Sequence, residues 1–234
     1  MIAKDVIEAV AWALHDLDPE TGEGYVRWPK PRLLDFVNRA QLQVVKNVPE
    51  ASSEFTAMQL VAGARQAIPA SALRLLTITR NLGADGLSPG RHVALTDRGT
   101  LDAQLVTWGV NTTSISEIES YVYDDRVPKT FYVYPPLATG DSVFVELGVS
   151  MKPEACVAET DTLALDDIYF SPIFHWMMYL ALNLELDDSS SSSKALHHYQ
   201  CFSVELGQEK SVANLIVPNL AELYLANKGM PTNG

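Results

Sequence analysis

DDRVPKTFYVYPP, residues 124–136, sets alternating ring and valine side chains between a charged turn and a proline pair, and its reading decides the fold. Period-two alternation marks a strand with two unlike faces, because successive side chains point to opposite sides of the pleat. Phe131 and Val133 share one face and are expected inside, whereas Tyr132 and Tyr134 share the other and are expected to be more exposed. The expected partner is Val143 to Val149, where Val143, Val145, Leu147 and Val149 line one side, with PPLATGD between as a hairpin loop. Upstream, Met58–Val61 and Gln66–Ile68 flank Ala62-Gly63-Ala64, which reads as a tight hairpin with Gly63 at positive φ. Leu73–Leu82 and Val93–Thr96 add further short strands, and Asp97-Arg98-Gly99 reads as a turn. Residues 56–160 therefore form a β-rich module, a small barrel or sandwich.

On either side the apolar spacing changes to that of helices. From Ala3 to Leu17, Val6, Ala9, Val10, Ala13, Leu14 and Leu17 form one stripe at 3.6 residues per turn. A second helix is expected from Arg32 to Val48, with Leu33, Val37, Ala40, Val44 and Val48 buried beside Phe36 and Pro49 closing it. A third spans Ile168 to Leu186 through Ile173, Phe174, Met177, Leu180, Ala181 and Leu184, Pro172 being tolerable near its first turn. Asp187-Asp188 and the serines 189–193 read either as a flexible link or as an N-cap for a fourth helix. That helix runs from Ser192 to Gln208 with Leu196, Tyr199, Phe202 and Leu206 on one side and Gly207 near its end. No pair of these helices buries its own stripe, so the fold class is α+β: a discontinuous four-helix bundle, 1–55 with 161–210, interrupted by the inserted β domain 56–160.

The chain has 234 residues, 47% of them hydrophobic and 20% charged, enough for a sizeable core. No run approaches the roughly 18 apolar residues of a membrane span, and MIAKDVIEAV lacks the apolar core and cleavage site of a signal peptide, so no membrane partner is expected. Cys156 and Cys201 stand alone and read as reduced thiols, as in a cytoplasm. The net charge of −12 is uneven: −3 over 1–55, −3 over 56–160 and −6 over 161–234. Gripping DNA needs clustered Lys and Arg that release counterions from phosphates, and this chain offers no such cluster, which argues against sequence-specific DNA binding.

Few constellations suggest chemistry. His175 with His197 or His198, near Asp187 and Asp188, is the nearest approach to a metal set, but the spacing is poor and packed histidines are the simpler reading. Asp124-Asp125 with Asp97 and Asp102 invites an acid–base reading, yet each lies in ordinary turn sequence and no nucleophile accompanies them. Ser114 and Ser116 lie in a polar loop, and scattered single glycines make no phosphate cradle. No catalytic residue, metal or cofactor is therefore assigned. Trp108, Tyr121, Tyr123, Phe131, Tyr132 and Tyr134 are dense for one module; half must face inward, and the rest, with Arg126 and Lys129 nearby, have the composition of a protein–protein contact. Near the C-terminus, Leu215, Ile216, Val217, Leu220, Leu223, Tyr224 and Leu225 form an apolar stretch too short for its own core, which needs a surface to bury against.

Six stretches carry a resemblance. WPKPRLLDFVNRAQLQVV (28–45), LVAGARQAIPASALRLLTITRNLG (60–83), DRGTLD (97–102) with the FYVYPP block, DIYFSPIFHWMMYLAL (167–182) and ALHHYQCFSVELG (195–207) occur in the order found in tailed-phage head-to-tail adaptor, or connector, proteins. The chain is similar to the tail tubular adaptors of podophages. That resemblance implies a structural, non-enzymatic ring, commonly of twelve copies, between portal and tail nozzle or hub. Genomic DNA would pass through its central channel without sequence-specific binding. It implies a virion location at the head–tail interface after assembly in the host cytoplasm, and a C-terminal arm, residues 211–234, reaching towards portal or a neighbouring copy. The alternative is a carbohydrate-binding tail component acting through the aromatic β insert; a third reading, a metal-dependent hydrolase, needs metal at the histidines.

Overall fold

The computed structural model describes residues 1–17, 24–105, 107–110, 113–184 and 189–216, with backbone only at 104, 189–190 and 208–216. Over these residues the chain is mixed α+β, with five α-helices and two four-stranded sheets. In chain order come α1 (Ala3–Ala13), α2 (Lys30–Asn47), a 3-10 turn (Pro49–Ser52), β1 (Ser53–Gln59), β2 (Gly63–Ala67) and β3 (Ala72–Leu82). Then follow β4 (Pro89–His92), β5 (Ala94–Leu95), α3 (Arg98–Gln104), β6 (Ser120–Tyr123), β7 (Thr130–Leu137) and β8 (Phe144–Met151). After a second 3-10 turn (Asp167–Tyr169) come α4 (Phe170–Asn183) and α5 (Ser189–Ile216). The chain divides into two compact units, Met1–Val48 with Glu154–Gly234, and Pro49–Pro153.

In the helical unit, α4 packs on α5, α2 and α1, and α1 on α2. The stripe Leu33, Phe36, Val37, Ala40, Val44 and Val45 of α2 is buried, as are Val6, Ile7 and Val10 of α1 and Ile173, Met177 and Ala181 of α4. Each such large side chain is worth roughly 1.5–3 kcal/mol on burial. Polar side chains stitch the distant segments together. Asn38 donates to the Cys156 carbonyl (2.9 Å) and accepts from its N–H (2.8 Å), and the fully buried Gln41 accepts from Ala164 N (2.9 Å). The first amides of α1, orphaned as at any helix start, donate from Ala3 to Asp161 O (2.9 Å) and from Lys4 to Glu159 O (2.8 Å).

Three helix expectations change. The first helix stops at Ala13 rather than Leu17, because His15 takes φ 56° and Leu17 turns back to bridge Gly24. The serine run is no linker: α5 starts at Ser189, continues through Gly207, where the helix was expected to end, and reaches Ile216. Its inward positions are Ser191, Ala195, Phe202 and Leu206, with His198 half-buried between them, so Leu196 (56% exposed) and Tyr199 (43%) lie off the stripe expected to include them. Asp187 and Asp188 lie outside the described residues.

The second unit holds sheets of order β1-β8-β3-β4 and β2-β7-β6-β5, antiparallel except for the β5–β6 pair. Phe131 and Val133 are buried and Tyr132 and Tyr134 half-buried, the parity the alternation predicts. Their expected partner is corrected. β7 pairs with β2 and β6, whereas Val143–Val149 pairs within the other sheet with β1 and β3. Both strands carry one apolar face, and the faces meet across a shared core of Leu75, Ile78, Phe131, Val133, Val145, Leu147 and Val149 instead of edge to edge. The hairpin over 62–64 is likewise corrected: Gly63 has φ 100°, but β1 and β2 belong to different sheets. Gln66 closes that crossover, its buried amide accepting from Val61 N (2.8 Å) and donating to Val61 O (2.8 Å) and Gly63 O (3.1 Å).

Candidate functional site

The sheet β2-β7-β6-β5 presents Tyr132 and Tyr134 on its outer side, and α3 lies over them. Asp97 is no mere turn residue: its carboxylate caps α3 by accepting from Thr100 N (3.1 Å). Leu101, Trp108 and Val122 form a small buried cluster against which Ala64, Tyr132 and Tyr134 pack. The Trp108 ring meets Tyr132 edge-on at 6.1 Å, its Nε1 donates to Asp102 (2.6 Å), and the Arg98 guanidinium sits 5.1 Å from the Tyr132 ring centre. Among the described aromatics of this unit Phe55 alone is largely exposed, so no open, coplanar sugar platform is formed there.

Arg126 and Lys129 lie on the β6–β7 connection, apart from the two tyrosines. Arg126 grips Asp124 through Nε and Nη2 at 2.7–3.1 Å and holds that carboxyl down to about 2, yet its own side chain is 88% exposed. Lys129 is exposed and donates to the Ala72 carbonyl. Asp125 pairs with Arg74 at 2.5 Å. Asp97, Asp102, Asp124 and Asp125 thus cap, accept from Trp108 or pair with arginines, and no two of them face each other across a cleft. Ser114 likewise donates to Asp141 (2.5 Å), which lowers the Asp141 pKa.

The helical unit carries a second surface that the helix-by-helix spacing did not single out. Gln43 and Asn47 of α2 and Tyr199, Phe202, Ser203, Leu206 and Gly207 of α5 line a groove of about 150 Å³. Its aromatic wall continues onto α4, with Trp176 4.8 Å from Phe202, 6.2 Å from Tyr199 and 5.1 Å from Tyr179 between ring centres. Trp176/Tyr179 and Tyr199/Phe202 are both three residues apart on helices, a spacing that would have flagged this wall. Leu215 and Ile216 belong to the backbone of α5, but their side chains, and Val217, Leu220, Leu223, Tyr224 and Leu225 altogether, lie outside the described residues.

His175 and His198 do meet, Nδ1 to Nδ1 at 2.8 Å, while His197 faces the Cys201 thiol (3.6 Å) on the same helix. Among the described residues no group of three or more His, Cys, Asp or Glu is placed to hold a metal ion. Both cysteines are free, and burial pushes the Cys156 thiol pKa up, away from reactivity. No helix of the described residues is long and apolar enough to cross a membrane. Among the described residues the two units offer a paired-charge turn, a covered tyrosine face and an aromatic groove.

No curated protein matches the chain. The sequence pattern of one family matches residues 1–218, taking in both compact units and all five helices, and by that match the chain belongs to the SU10 adaptor protein family, the phage head–tail adaptors.

Proposed function

We propose that the chain acts as a closed ring of twelve copies between portal and tail, joining the two through its surfaces and leaving a central channel for DNA. The helical unit, a four-helix bundle discontinuous in sequence, docks on the portal, and the two-sheet unit, a small sandwich, meets the tail nozzle or hub. Residues 211–234 serve as the anchoring arm. One observation carries this reading: the family match runs through both units, so each belongs to the adaptor and neither is a grafted module. Heterologous contacts between copies close such a ring when their rotation divides a full turn. The protein works geometrically, without catalysis, at the head–tail interface of the virion and after assembly in the host cytoplasm. The excess of acidic residues supports passage of DNA without retention, because a basic wall would bind phosphates.

Mass measurement of purified portal mixed with this protein tests the reading. A complex with one defined adaptor copy number per portal ring is expected, and portal that stays bare at micromolar concentrations would sink it.

A further inference from the structure

We infer that His175 and His198 form a proton-counting clamp between α4 and α5, which holds with one added proton and opens with two. The two rings face each other through Nδ1 at 2.8 Å, with centres 5.0 Å apart. At that distance one Nδ1 must carry a hydrogen and the other must accept it. Glu205 on α5 fixes which. Its Oε1, already accepting from Ser171 (2.7 Å), lies 3.6 Å from His175 Nε2, too far for a hydrogen bond but near enough for its charge to favour the hydrogen of neutral His175 on Nε2, which leaves Nδ1 as the acceptor. His198 is the donor.

Proton counting follows from this arrangement. One extra proton, placed on the far nitrogen of His198, leaves the Nδ1–H···Nδ1 bond intact. A second must go to His175 Nδ1, the acceptor itself, and then two N–H groups point at each other between two cations. Glu205 offsets one positive charge and not both.

The surroundings favour the uncharged pair. Phe174 lies edge-on to both rings, 5.3 Å from His175 and 6.1 Å from His198, and the His175 side chain is 18% exposed. The groups that act on the rings are Glu205 and His197, both from α5; among the described residues no charged group of α1 or α2, the other helices packed on α4, does so. Burial lowers both histidine pKa values from 6.5, with the neighbouring imidazoles adding to it and Glu205 opposing it at His175. The unfolded chain then binds these protons first, so stability falls as pH drops below 6.5 and levels off beneath the folded values. The rings join α5 to α4 at His198, between Ala195 and Phe202, both buried. Opening there releases α5 along its length.

Two measurements on the full-length protein decide this. In a ¹⁵N imidazole NMR titration, His175 and His198 should protonate in two steps separated by more than about one pH unit, the mark of coupled sites. A single shared midpoint at 6.5 would overturn the clamp. In amide exchange, corrected for its intrinsic pH dependence, residues 191–207 should open about tenfold or more faster at about pH 5 than at about pH 7.5. His198→Gln leaves only His175 to take a proton and offers its Nδ1–H an amide oxygen, so the two facing N–H groups cannot form; it should remove that acceleration, and His197→Gln should keep it. Equal acceleration in His198→Gln, or none in the unsubstituted protein, overturns the proposal. Should His198→Gln fail to fold, the NMR titration of the unsubstituted chain separates the two outcomes by itself.

Discussion

Asn81 and Ile118 are joined by a reciprocal pair of hydrogen bonds, the Asn81 Oδ1 accepting from Ile118 N at 2.9 Å and its Nδ2 donating to Ile118 O at 2.8 Å. Asn81 lies on β3 in one sheet, Ile118 just ahead of β6 in the other, and both are fully buried. A side-chain amide thus stands in for a strand where the two sheets close on each other. Nδ2 also donates to Arg91 O at 3.1 Å, which ties in strand β4. Gln66 makes the same reciprocal pair with Val61 at the β1–β2 crossover, and in the helical unit Gln41 accepts from the distant Ala164 N, so both units are pinned by buried amides bound to backbone. Such groups are costly if left unpaired and specify one arrangement when satisfied.

Substituting Asn81 by Ala is expected to destabilise the protein by about 3 kcal/mol, because it strands the Ile118 N–H and C=O in a dry core. Urea unfolding should show the drop in midpoint with an unchanged slope. A loss below about 1 kcal/mol would mean that water or a backbone shift satisfies those groups.

The β3–β4 connection is organised by Asp85, whose carboxylate accepts from Leu87 N and Ser88 N, both at 2.9 Å, and from Ser88 Oγ at 2.7 Å. These bonds favour the charged form and hold its pKa at about 2 instead of 3.8. A depressed carboxyl pKa contributes stability that is complete above 3.8 and is lost as pH falls through about 2. NMR titration of the Asp85 carboxyl carbon should place the midpoint near 2, and Ser88→Ala should move it upward. An unmoved midpoint would show that the serine hydroxyl contributes nothing.

Phe202 and Tyr199 test how the aromatic wall divides between core and surface. Phe202 is buried 4.8 Å from Trp176, so Phe202→Ala should cost about 3–5 kcal/mol in a denaturant titration. Tyr199 is 43% exposed, and Tyr199→Ala should cost about 1 kcal/mol or less while changing the face offered to a partner. Equal losses would mean that the wall is all core and offers no contact.

The helices and the β7 parity were legible because their signals are local: α2 announces its stripe at every turn, and Phe131 and Val133 alternate with the tyrosines. Strand partners were not, since pairing depends on residues far apart. β3 shows why. Its inward residues Ala72, Leu75, Ile78 and Asn81 recur every three positions, with register shifts between them where it pairs with β8, so its pattern matches neither strand nor helix periodicity. Helix α3 escaped because its seven residues, RGTLDAQ, carry one buried apolar side chain, Leu101, and Asp97-Arg98-Gly99 is equally good turn sequence. The groove was hidden for another reason: it needs α2 and α5, more than 150 positions apart, to lie side by side. The histidine pair needed the α4–α5 register, which no spacing within either helix reveals.

The arm can be tested without disturbing either unit. The buried contacts of α5 lie at Ser191, Ala195, Phe202 and Leu206, and its backbone is helical to Ile216, so a chain ending at Ile216 keeps every core side chain described in the helical unit. What it loses is Val217, Leu220, Leu223, Tyr224 and Leu225. Each large apolar side chain buried on a partner is worth roughly 1.5–3 kcal/mol, so two well-docked leucines suffice for about a hundredfold in affinity. Deleting residues 217–234 should leave the unfolding midpoint unchanged and weaken co-sedimentation with purified portal by about a hundredfold or more. If the truncated protein binds portal as tightly as the full chain, the anchor lies elsewhere, and the aromatic groove between α2 and α5 becomes the surface to alter next.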